Sequence, residues 1–284
     1  MSVKKAVKGM VKPFYNFGKK LWYTTQGMLA EKHIYLTLEE KKVAAYQGKH
    51  QGKRVFLVGT GPSLNAEDLE LIKEEYSIGC NMVYKLFTKT NWRPTYYCMT
   101  DRVYARYQSE EILQHVQVPF FVPKSAAKRM PHKGSNVIKV NDIYDYDTYE
   151  VQGRFHHYCY LKASVMMFML ELAMYMGMTE IYLLGVDCTN TYKKNGHFAK
   201  DYVKSSTKQA EQSRMEQDLD KDNITAEELW NHNYLRNIQA YEEIKRFADT
   251  KGIKIYNATR GGQLEVFQRI SLEDVLKKES ERER

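Results

Sequence analysis

Short apolar runs recur along the chain and give the first indication of its fold. Seven are rich in β-branched and aromatic residues, at 55–58, 77–80, 95–99, 119–122, 137–140, 181–184 and 253–256. Helical patterns separate several of them, and continuous runs such as IYLLG are typical of strands covered on both faces. The pattern predicts an α/β fold, a mainly parallel Rossmann-like sheet with helices on both faces.

The longest apolar segment, ASVMMFMLELAMYMGM at 163–178, is apolar nearly all round. It predicts a buried central helix that ends near Gly177, because glycine readily adopts the left-handed conformation that closes many helices. Its methionines lack metal-ligating companions at a defined spacing, so we interpret them as core packing. Glu171 interrupts the segment, and no apolar stretch reaches the roughly 20 residues that cross a bilayer.

Changes in composition divide the 284 residues into parts. The stretch 204–222 is polar with few residues that could anchor a core, and Thr225 with Glu228 forms a capping box that starts the next helix. We predict a basic amphipathic segment at 1–50, an α/β catalytic domain at 51–276 with a mobile lid at about 190–230, and a charged tail at 277–284.

The first 30 residues carry six lysines and no acidic residue. Apolar residues recur among them at three- or four-residue spacing, which is typical of a helix lying in a membrane surface. An ordinary helix packed on the domain and broken at Pro13 explains the same pattern. We keep both interpretations, and the first predicts a peripheral attachment to the inner face of the membrane.

The net charge of +8 admits nucleic acid, a membrane surface or an anionic substrate as partner. A non-catalytic binding module for nucleic acid or membrane ranks last, since acidic residues balance the lysines beyond residue 30 and no RNA-binding signature is present. The four cysteines lack zinc-type spacing, and we see no secretory leader pattern. We therefore predict a cytoplasmic protein with no nucleic-acid partner.

The segment VFLVGTGPSL reads as a strand that runs into a glycine turn. Gly59 and Gly61 allow a ligand to approach the backbone closely, and Ser63 or Asn65 can cap the following helix. The segment is not a dinucleotide fingerprint, because Leu64 occupies the third glycine position, and the chain contains no phosphate loop of the Walker type. A purely structural tight turn would explain the glycines about as well.

Polar residues follow three further predicted strands. Asn81 follows SIGC, Asp101 follows YYCMT, and Asp187 lies in IYLLGVD. Ligands of doubly wound sheets bind beyond the carboxyl ends of the strands, so these side chains and the glycine turn are predicted to line one crevice. Taken singly, each residue is more often a turn former.

Two histidines are candidates for chemistry. His232 lies before or within the first turns of a helix with an apolar stripe, and it faces the crevice only if that helix is turned suitably. A surface or capping histidine is the ordinary interpretation. His197 lies in the loop NGHFAKDY, where it touches a ligand or simply covers the site.

At this point the chain resembles a known group. VFLVGTGPSL, IGCN, a lysine before the long apolar helix, MTEIYLLGVD and NH...IQAYEEIKRFADTKGIKIYNA occur in the order and spacing of bacterial sialyltransferases of glycosyltransferase family 42, over about residues 53–260. The closing NATRGGQLEVF resembles the broader family that includes archaeal hydroxymethylpterin pyrophosphokinases and flagellin-modifying proteins.

The resemblance implies a variant of the GT-A fold and an inverting, metal-independent enzyme without a cofactor. Such an enzyme transfers sialic acid or a related nonulosonic acid from a CMP-sugar to a glycan or glycolipid acceptor, and the group forms homo-oligomers. An alternative is a pyrophosphokinase-like enzyme that uses ATP and magnesium, for which Asp101 and Asp187 are the candidate ligands.

The resemblance also implies where the donor nucleotide lies. The glycine turn would lie beside it, through Gly59, Thr60, Gly61 and Ser63. Asn81 falls where the family has an asparagine that contacts the nucleotide, and Asp187 lies in the corresponding strand end. Thr60 and Asp101 differ from the asparagines usual at or near their positions, so the sequence leaves open how the base or sugar is recognised.

The remaining implied roles concern the phosphate and the chemistry. Lys162 replaces an arginine of the family near the phosphate, and Ser164 follows at a helix start, where amide groups favour anions. His232 aligns with the family's general base. Tyr192 and His197 occupy the loop whose tyrosines stabilise the leaving phosphate in the family.

Overall fold

The computed structural model describes residues 3–143, 150–151, 153–161, 164–189, 196–199 and 201–282. The described strands are β1 (Arg54–Val58), β2 (Ser77–Cys80), β3 (Tyr96–Cys98), β4 (Phe120–Pro123), β5 (Val137–Val140), β6 (Asp142–Ile143), β7 (Cys159–Tyr160), β8 (Glu180–Leu184), β9 (Lys254–Asn257) and β10 (Gln268–Arg269). Eight of them form one sheet in the order β10-β9-β8-β1-β2-β3-β4-β5, and β6 pairs with β7. Every described pairing is parallel.

Helices connect and cover these strands. The described α-helices are α1 (Val3–Glu31), α2 (Leu38–Ala44), α3 (Ala66–Leu71), α4 (Arg102–Tyr107), α5 (Ser109–His115), α6 (Lys124–Ala127), α7 (Val165–Tyr175), α8 (Ser205–Asp222), α9 (Ala226–Thr250) and α10 (Leu272–Arg282). A 3-10 helix at Val83–Leu86 follows β2.

Two hydrophobic layers cover the two faces of the sheet. In β1, Val55 and Leu57 pack into the layer that contains α7, whereas Phe56 and Val58 pack into the opposite layer. All four side chains are completely buried. Alternate side chains of a strand point to opposite faces, so a strand buried on both faces must be apolar throughout. The predicted α/β class and parallel sheet are confirmed.

The central helix predicted from the apolar segment is α7. Ser164 is its N-cap, and Gly177, just beyond its end, has a φ of +83°. The helix is buried on all sides except at its first residue, and its methionines belong to the core. The interpretation of these methionines as packing residues is confirmed.

The N-terminal helix differs from one of the two sequence interpretations. α1 is continuous across Pro13, so this proline does not break it. From Phe14 onward, where the side chains of α1 are described, the buried residues are Gln26, Gly27 and Ala30, near its end. Large apolar side chains earlier in the helix are exposed. None of the helices in the described part of the chain combines the length and hydrophobicity that a membrane span needs.

The predicted lid is partly helical. The described residues of this region include α8, which contacts α4 and α9. Thr207 anchors α8, because it is completely buried and its hydroxyl accepts a hydrogen bond of 2.8 Å from Gln108 Nε2. The polar stretch therefore has a buried anchor that the sequence did not reveal. The charged tail begins as the last turns of α10.

Candidate active site

A cavity of about 640 Å³ lies at the carboxyl ends of the central strands. Residues that follow β1, β2, β3 and β8 form its floor, and residues of α4, α7, α8 and α9 form its walls. Eight of the predicted site residues line it: Gly59, Thr60, Gly61, Asn81, Asp101, Ser164, Asp187 and His197. The structure therefore brings the predicted strand-end residues together in one crevice.

The glycine turn packs tightly against the end of β8. A Cβ atom on Gly61 would overlap the Asp187 carboxylate, and one on Gly59 would lie 2.5 Å from the Gly185 carbonyl oxygen. The Ser63 hydroxyl donates a hydrogen bond of 2.8 Å to Asp187 Oδ2. Ser63 thus fixes Asp187 and is not among the residues that line the cavity. Both glycines are required by the packing of the two strand ends.

Thr60 is the centre of a small polar group. The Tyr202 hydroxyl donates a hydrogen bond of 2.9 Å to Thr60 Oγ1, and His197 Nδ1 lies 3.3 Å from the same oxygen. The rings of His197 and Tyr202 are stacked, with centroids 3.7 Å apart. Burial lowers the pKa of His197, although a hydrogen bond with the Thr60 backbone opposes the shift. The imidazole is therefore mainly neutral at pH 7.

Asn81 lines the cavity and carries a buried hydrogen-bond acceptor without a partner in the described part of the chain. Its φ of +50° is in the left-handed region, which asparagine tolerates better than most residues. The Tyr97 hydroxyl donates a hydrogen bond of 2.7 Å to the Asn81 carbonyl oxygen. The side-chain Oδ1 is buried and has no partner among the described residues. A ligand that donates a hydrogen bond would satisfy this oxygen.

Asp101 is engaged in two ways. As the N-cap of α4, its Oδ1 accepts hydrogen bonds of 2.6 Å from Val103 N and 3.1 Å from Tyr104 N. Its Oδ2 accepts a hydrogen bond of 2.8 Å from Arg214 Nη1. Asp101 therefore ties α8 to α4. Nearby on α8, burial raises the pKa of Glu211, which accepts a hydrogen bond from the Tyr104 hydroxyl.

The start of α7 faces the cavity. Ser164 Oγ accepts a hydrogen bond of 3.3 Å from Met166 N, and Ser164 N donates one of 3.2 Å to Asn237 Oδ1. The hydroxyl of Ser164 also hydrogen-bonds with Tyr241, so α9 holds the start of α7 in place. Lys162 precedes this start, and its predicted contact with phosphate lies outside the described residues.

The orientation of α9 places His232 outside the cavity. Five residues of α9 line the cavity at three- and four-residue spacing: Trp230, Asn233, Tyr234, Asn237 and Tyr241. At 3.6 residues per turn, position 232 falls roughly on the opposite face. His232 is exposed. The crevice-facing orientation of His232 implied by the resemblance is thus wrong in this structure. The capping box at Thr225 starts α9 seven residues before His232, so this histidine already lies within the helix and on its exposed face.

Sequence reasoning missed several cavity residues. Glu211, Arg214, Asn233 and Asn237 line the cavity and are not identified by the sequence analysis. The four-residue spacing of Asn233 and Asn237 on a helix was a visible signal, since it places two amides on one face. Glu211 and Arg214, in the polar stretch, gave no such signal. The other predicted residue of this loop, Tyr192, lies outside the described residues.

The donor set fits a divalent metal poorly. Asp101 uses both carboxylate oxygens on backbone amides and Arg214, and Asp187 Oδ2 accepts a hydrogen bond from Ser63. A magnesium ion needs carboxylate oxygens that are available as ligands. Within the described residues, the cavity contains no group of three acidic, histidine or cysteine side chains close enough to share an ion.

The fold and the cavity define an α/β domain with its candidate site at the strand ends. Residues 31–193 match the family model described as 6-hydroxymethylpterin diphosphokinase MptE-like, and the chain belongs to this family. The predicted relation to the broader family is thereby confirmed, and membership of glycosyltransferase family 42 stays a prediction. No curated protein matches the sequence closely enough to count as a relative.

Two solved structures are similar to the chain. The MAf glycosyltransferase from Magnetospirillum magneticum AMB-1 is 14% identical, with a TM-score of 0.45, over 86% of this chain and 40% of its own. The sialyltransferase CstII from Campylobacter jejuni, in complex with a substrate analogue, cytidine-5'-monophosphate, is 15% identical, with a TM-score of 0.45. That match covers 78% of this chain and 86% of CstII.

Proposed function

We propose that the protein is an inverting, metal-independent glycosyltransferase. It would take sialic acid or a related nonulosonic acid from a CMP-sugar and pass it to a glycan or glycolipid acceptor. The observation that carries the proposal is the set of residues that line one cavity. The glycine turn, Asn81 and the start of α7 all line the same space.

These three features suit the parts of a nucleotide. A buried acceptor without a partner costs about 1–3 kcal/mol, and a ribose hydroxyl or the amino group of cytosine would satisfy Asn81 Oδ1. The amide groups at the start of α7 and the positive end of its dipole favour the single phosphate. The glycine turn lines the cavity, so the ligand would lie beside the end of β1.

The imidazole that lines the cavity belongs to His197, so we assign the role of general base to His197 in place of His232. The acceptor hydroxyl would lose its proton to the imidazole while its oxygen forms a bond to the anomeric carbon. The bond from that carbon to the phosphate oxygen would break, and CMP would leave with the electron pair. Attack opposite the leaving group gives inversion of configuration.

The engagement of the carboxylates supports a reaction without metal. Both oxygens of Asp101 and Oδ2 of Asp187 already accept hydrogen bonds, so three of these four carboxylate oxygens are engaged within the protein. A single phosphate that leaves as CMP carries less charge than a diphosphate. Helix amide groups and nearby cations can then replace a metal ion in stabilising it.

Thermal unfolding with separate ligands tests the proposal. CMP and CMP-sialic acid should each raise the melting temperature without magnesium, because a ligand that binds only the folded state stabilises it. Asn81→Gly keeps a residue suited to positive φ but removes the amide, and should weaken CMP binding by about tenfold. Asn223→Gly is the matched control, since Asn223 has a φ of +51° and lies at the C-cap of α8.

A second candidate is a diphosphokinase that uses ATP and magnesium, and the match to the MptE-like family supports it. Stabilisation by ATP with magnesium, together with no response to CMP or CMP-sialic acid, would replace the first proposal by the second. Stabilisation by none of these ligands would reject both.

A further inference from the structure

Outside the cavity, two histidines and a glutamate meet where α1 ends. Glu31 is the last residue of α1, and His156 and His157 lie in the turn before β7. His156 Nε2 lies 3.5 Å and His157 Nε2 lies 3.2 Å from the same oxygen, Glu31 Oε1. One ligand atom from each of the three residues lies within 4.8 Å of the other two.

We propose that these three residues form a binding site for a transition-metal ion, with Zn²⁺ as the preferred ion. In a tetrahedral zinc site with bonds of about 2.0–2.1 Å, neighbouring ligand atoms lie roughly 3.3 Å apart. The two distances from Nε2 to Glu31 Oε1, 3.5 and 3.2 Å, are close to this separation between ligand atoms. Two imidazoles and one carboxylate make a set that zinc accepts, with water in the fourth position.

The state of His156 points independently to a ligand. His156 is only 5% exposed, and neither of its ring nitrogens has a hydrogen-bond partner among the described residues. Burying an imidazole without partners is unfavourable, and a metal on Nε2 would satisfy this nitrogen. Neutral imidazole is the form that binds metal.

The surroundings show how the site is held and what opposes it. Gly27 lets α1 approach closely, since a Cβ there would overlap the His157 ring. Asn141 Nδ2 donates a hydrogen bond of 2.9 Å to the carbonyl oxygen of His157. Arg154 Nε lies 3.8 Å from Glu31 Oε1, and its charge opposes a cation. More than half of the Arg154 side chain is exposed, so it can turn into solvent.

Nitrogen ligands select the class of metal. Magnesium and calcium prefer oxygen ligands, whereas imidazole suits zinc and other first-row transition metals. A bound ion would join the end of α1 to the turn before β7, two segments more than 120 residues apart along the chain. The site therefore fastens α1 to the domain.

Isothermal titration of the chelator-treated full-length protein tests the site. Zn²⁺ should bind with one equivalent, and Mg²⁺ should produce no binding heat. His156→Ala and Glu31→Gln should each weaken Zn²⁺ binding by about 10- to 100-fold or more. Glu31→Gln keeps the size of the side chain, so it tests the site even if the histidine variant unfolds. His132→Ala is the control, because exposed His132 pairs with Glu110 at 3.0 Å.

X-ray absorption of the zinc-loaded protein provides a second readout. It should show a first shell of two imidazoles with light oxygen ligands. Stoichiometric zinc binding that persists in both His156→Ala and Glu31→Gln would overturn the proposal. So would a loss of zinc binding in His132→Ala as large as in these two variants. So would a zinc shell without imidazole.

Discussion

At the scale of single residues, the environment decides which histidine is suited to chemistry. His197 lies beside Thr60 and against the ring of Tyr202, at the cavity wall. His232 lies on the exposed side of its helix. Sequence spacing favours His232, whereas the contacts favour His197.

Replacing each histidine by glutamine separates these two assignments. His197→Gln should keep CMP binding and reduce turnover by about 10²- to 10⁴-fold, the usual contribution of a general base. His232→Gln should keep nearly full turnover, because its side chain points away from the cavity. Transfer of sugar from the CMP-donor measures both. Full activity in the His197 variant, or its loss in the His232 variant, would reverse the assignment.

The pH profile of the native enzyme follows from the same burial. Protonation disables a base, and the pKa of His197 is lowered from 6.5, so kcat/KM should fall only below about pH 6.5. The lowered pKa also means that the folded state binds this proton less readily than the unfolded chain. The contribution of His197 to the free energy of unfolding is therefore present above the pKa that this histidine has in the unfolded chain. It is lost as the pH falls through the lower pKa of the folded state. A rate that rises on acidification contradicts the assignment.

At the scale of elements, strand positions could be predicted and helix orientations could not. The seven predicted runs match the strands of the main sheet except β10, because a strand buried on both faces leaves a continuous apolar signal. The two-residue strands β6, β7 and β10 are too short for any pattern. The strand-end residues Asn81, Asp101 and Asp187 followed from the sheet, since parallel strands end at one edge.

The face that a polar helix turns to a site depends on where the helix begins and on what it packs against. One residue of shift rotates every side chain by about 100°. The predicted apolar stripe of α9 consists of Leu235, Ile238, Tyr241 and Ile244. Its last two members are buried, whereas Leu235 is 48% exposed. The first turns lack such a stripe, so the orientation of His232 could not be read from the sequence.

The exposed face of α1 supports a membrane surface as its partner. Phe14, Phe17, Leu21 and Trp22 are between 54% and 80% exposed and recur at helical spacing. We expect the protein to co-sediment with vesicles of anionic lipid more strongly than with neutral ones, because the lysines of α1 attract anionic headgroups. Phe17→Ser and Trp22→Ser should each weaken this binding by roughly tenfold or more.

Leu71→Ser is the control for this prediction, since Leu71 is also about half exposed but lies on α3. It should leave vesicle binding unchanged. Equal binding by the native protein and the α1 variants, or no binding to anionic vesicles at all, would favour an ordinary solvent-exposed helix.

At the scale of the whole molecule, the cavity joins parts that are distant along the chain. The sheet supplies the glycine turn and Asn81, whereas α8 supplies Glu211 and Arg214 from beyond residue 200. The ion pair of Asp101 with Arg214 is half exposed and contributes at most about 1 kcal/mol. This ion pair and the buried hydrogen bond between Thr207 and Gln108 help to hold α8 to the domain, and a bound ligand would add to them.

Hydrogen exchange with and without the stabilising nucleotide tests whether α8 belongs to the site. Backbone amides of α8 should exchange more slowly when the nucleotide is bound, because a ligand that contacts Glu211 or Arg214 lowers the population in which α8 opens. Residues 59–61 should be protected as well, whereas α10 should be unchanged because it contributes no residue to the cavity wall. Protection of 59–61 with no change in α8 would show that the nucleotide binds the sheet alone, and that the predicted lid acts on the acceptor or on neither substrate.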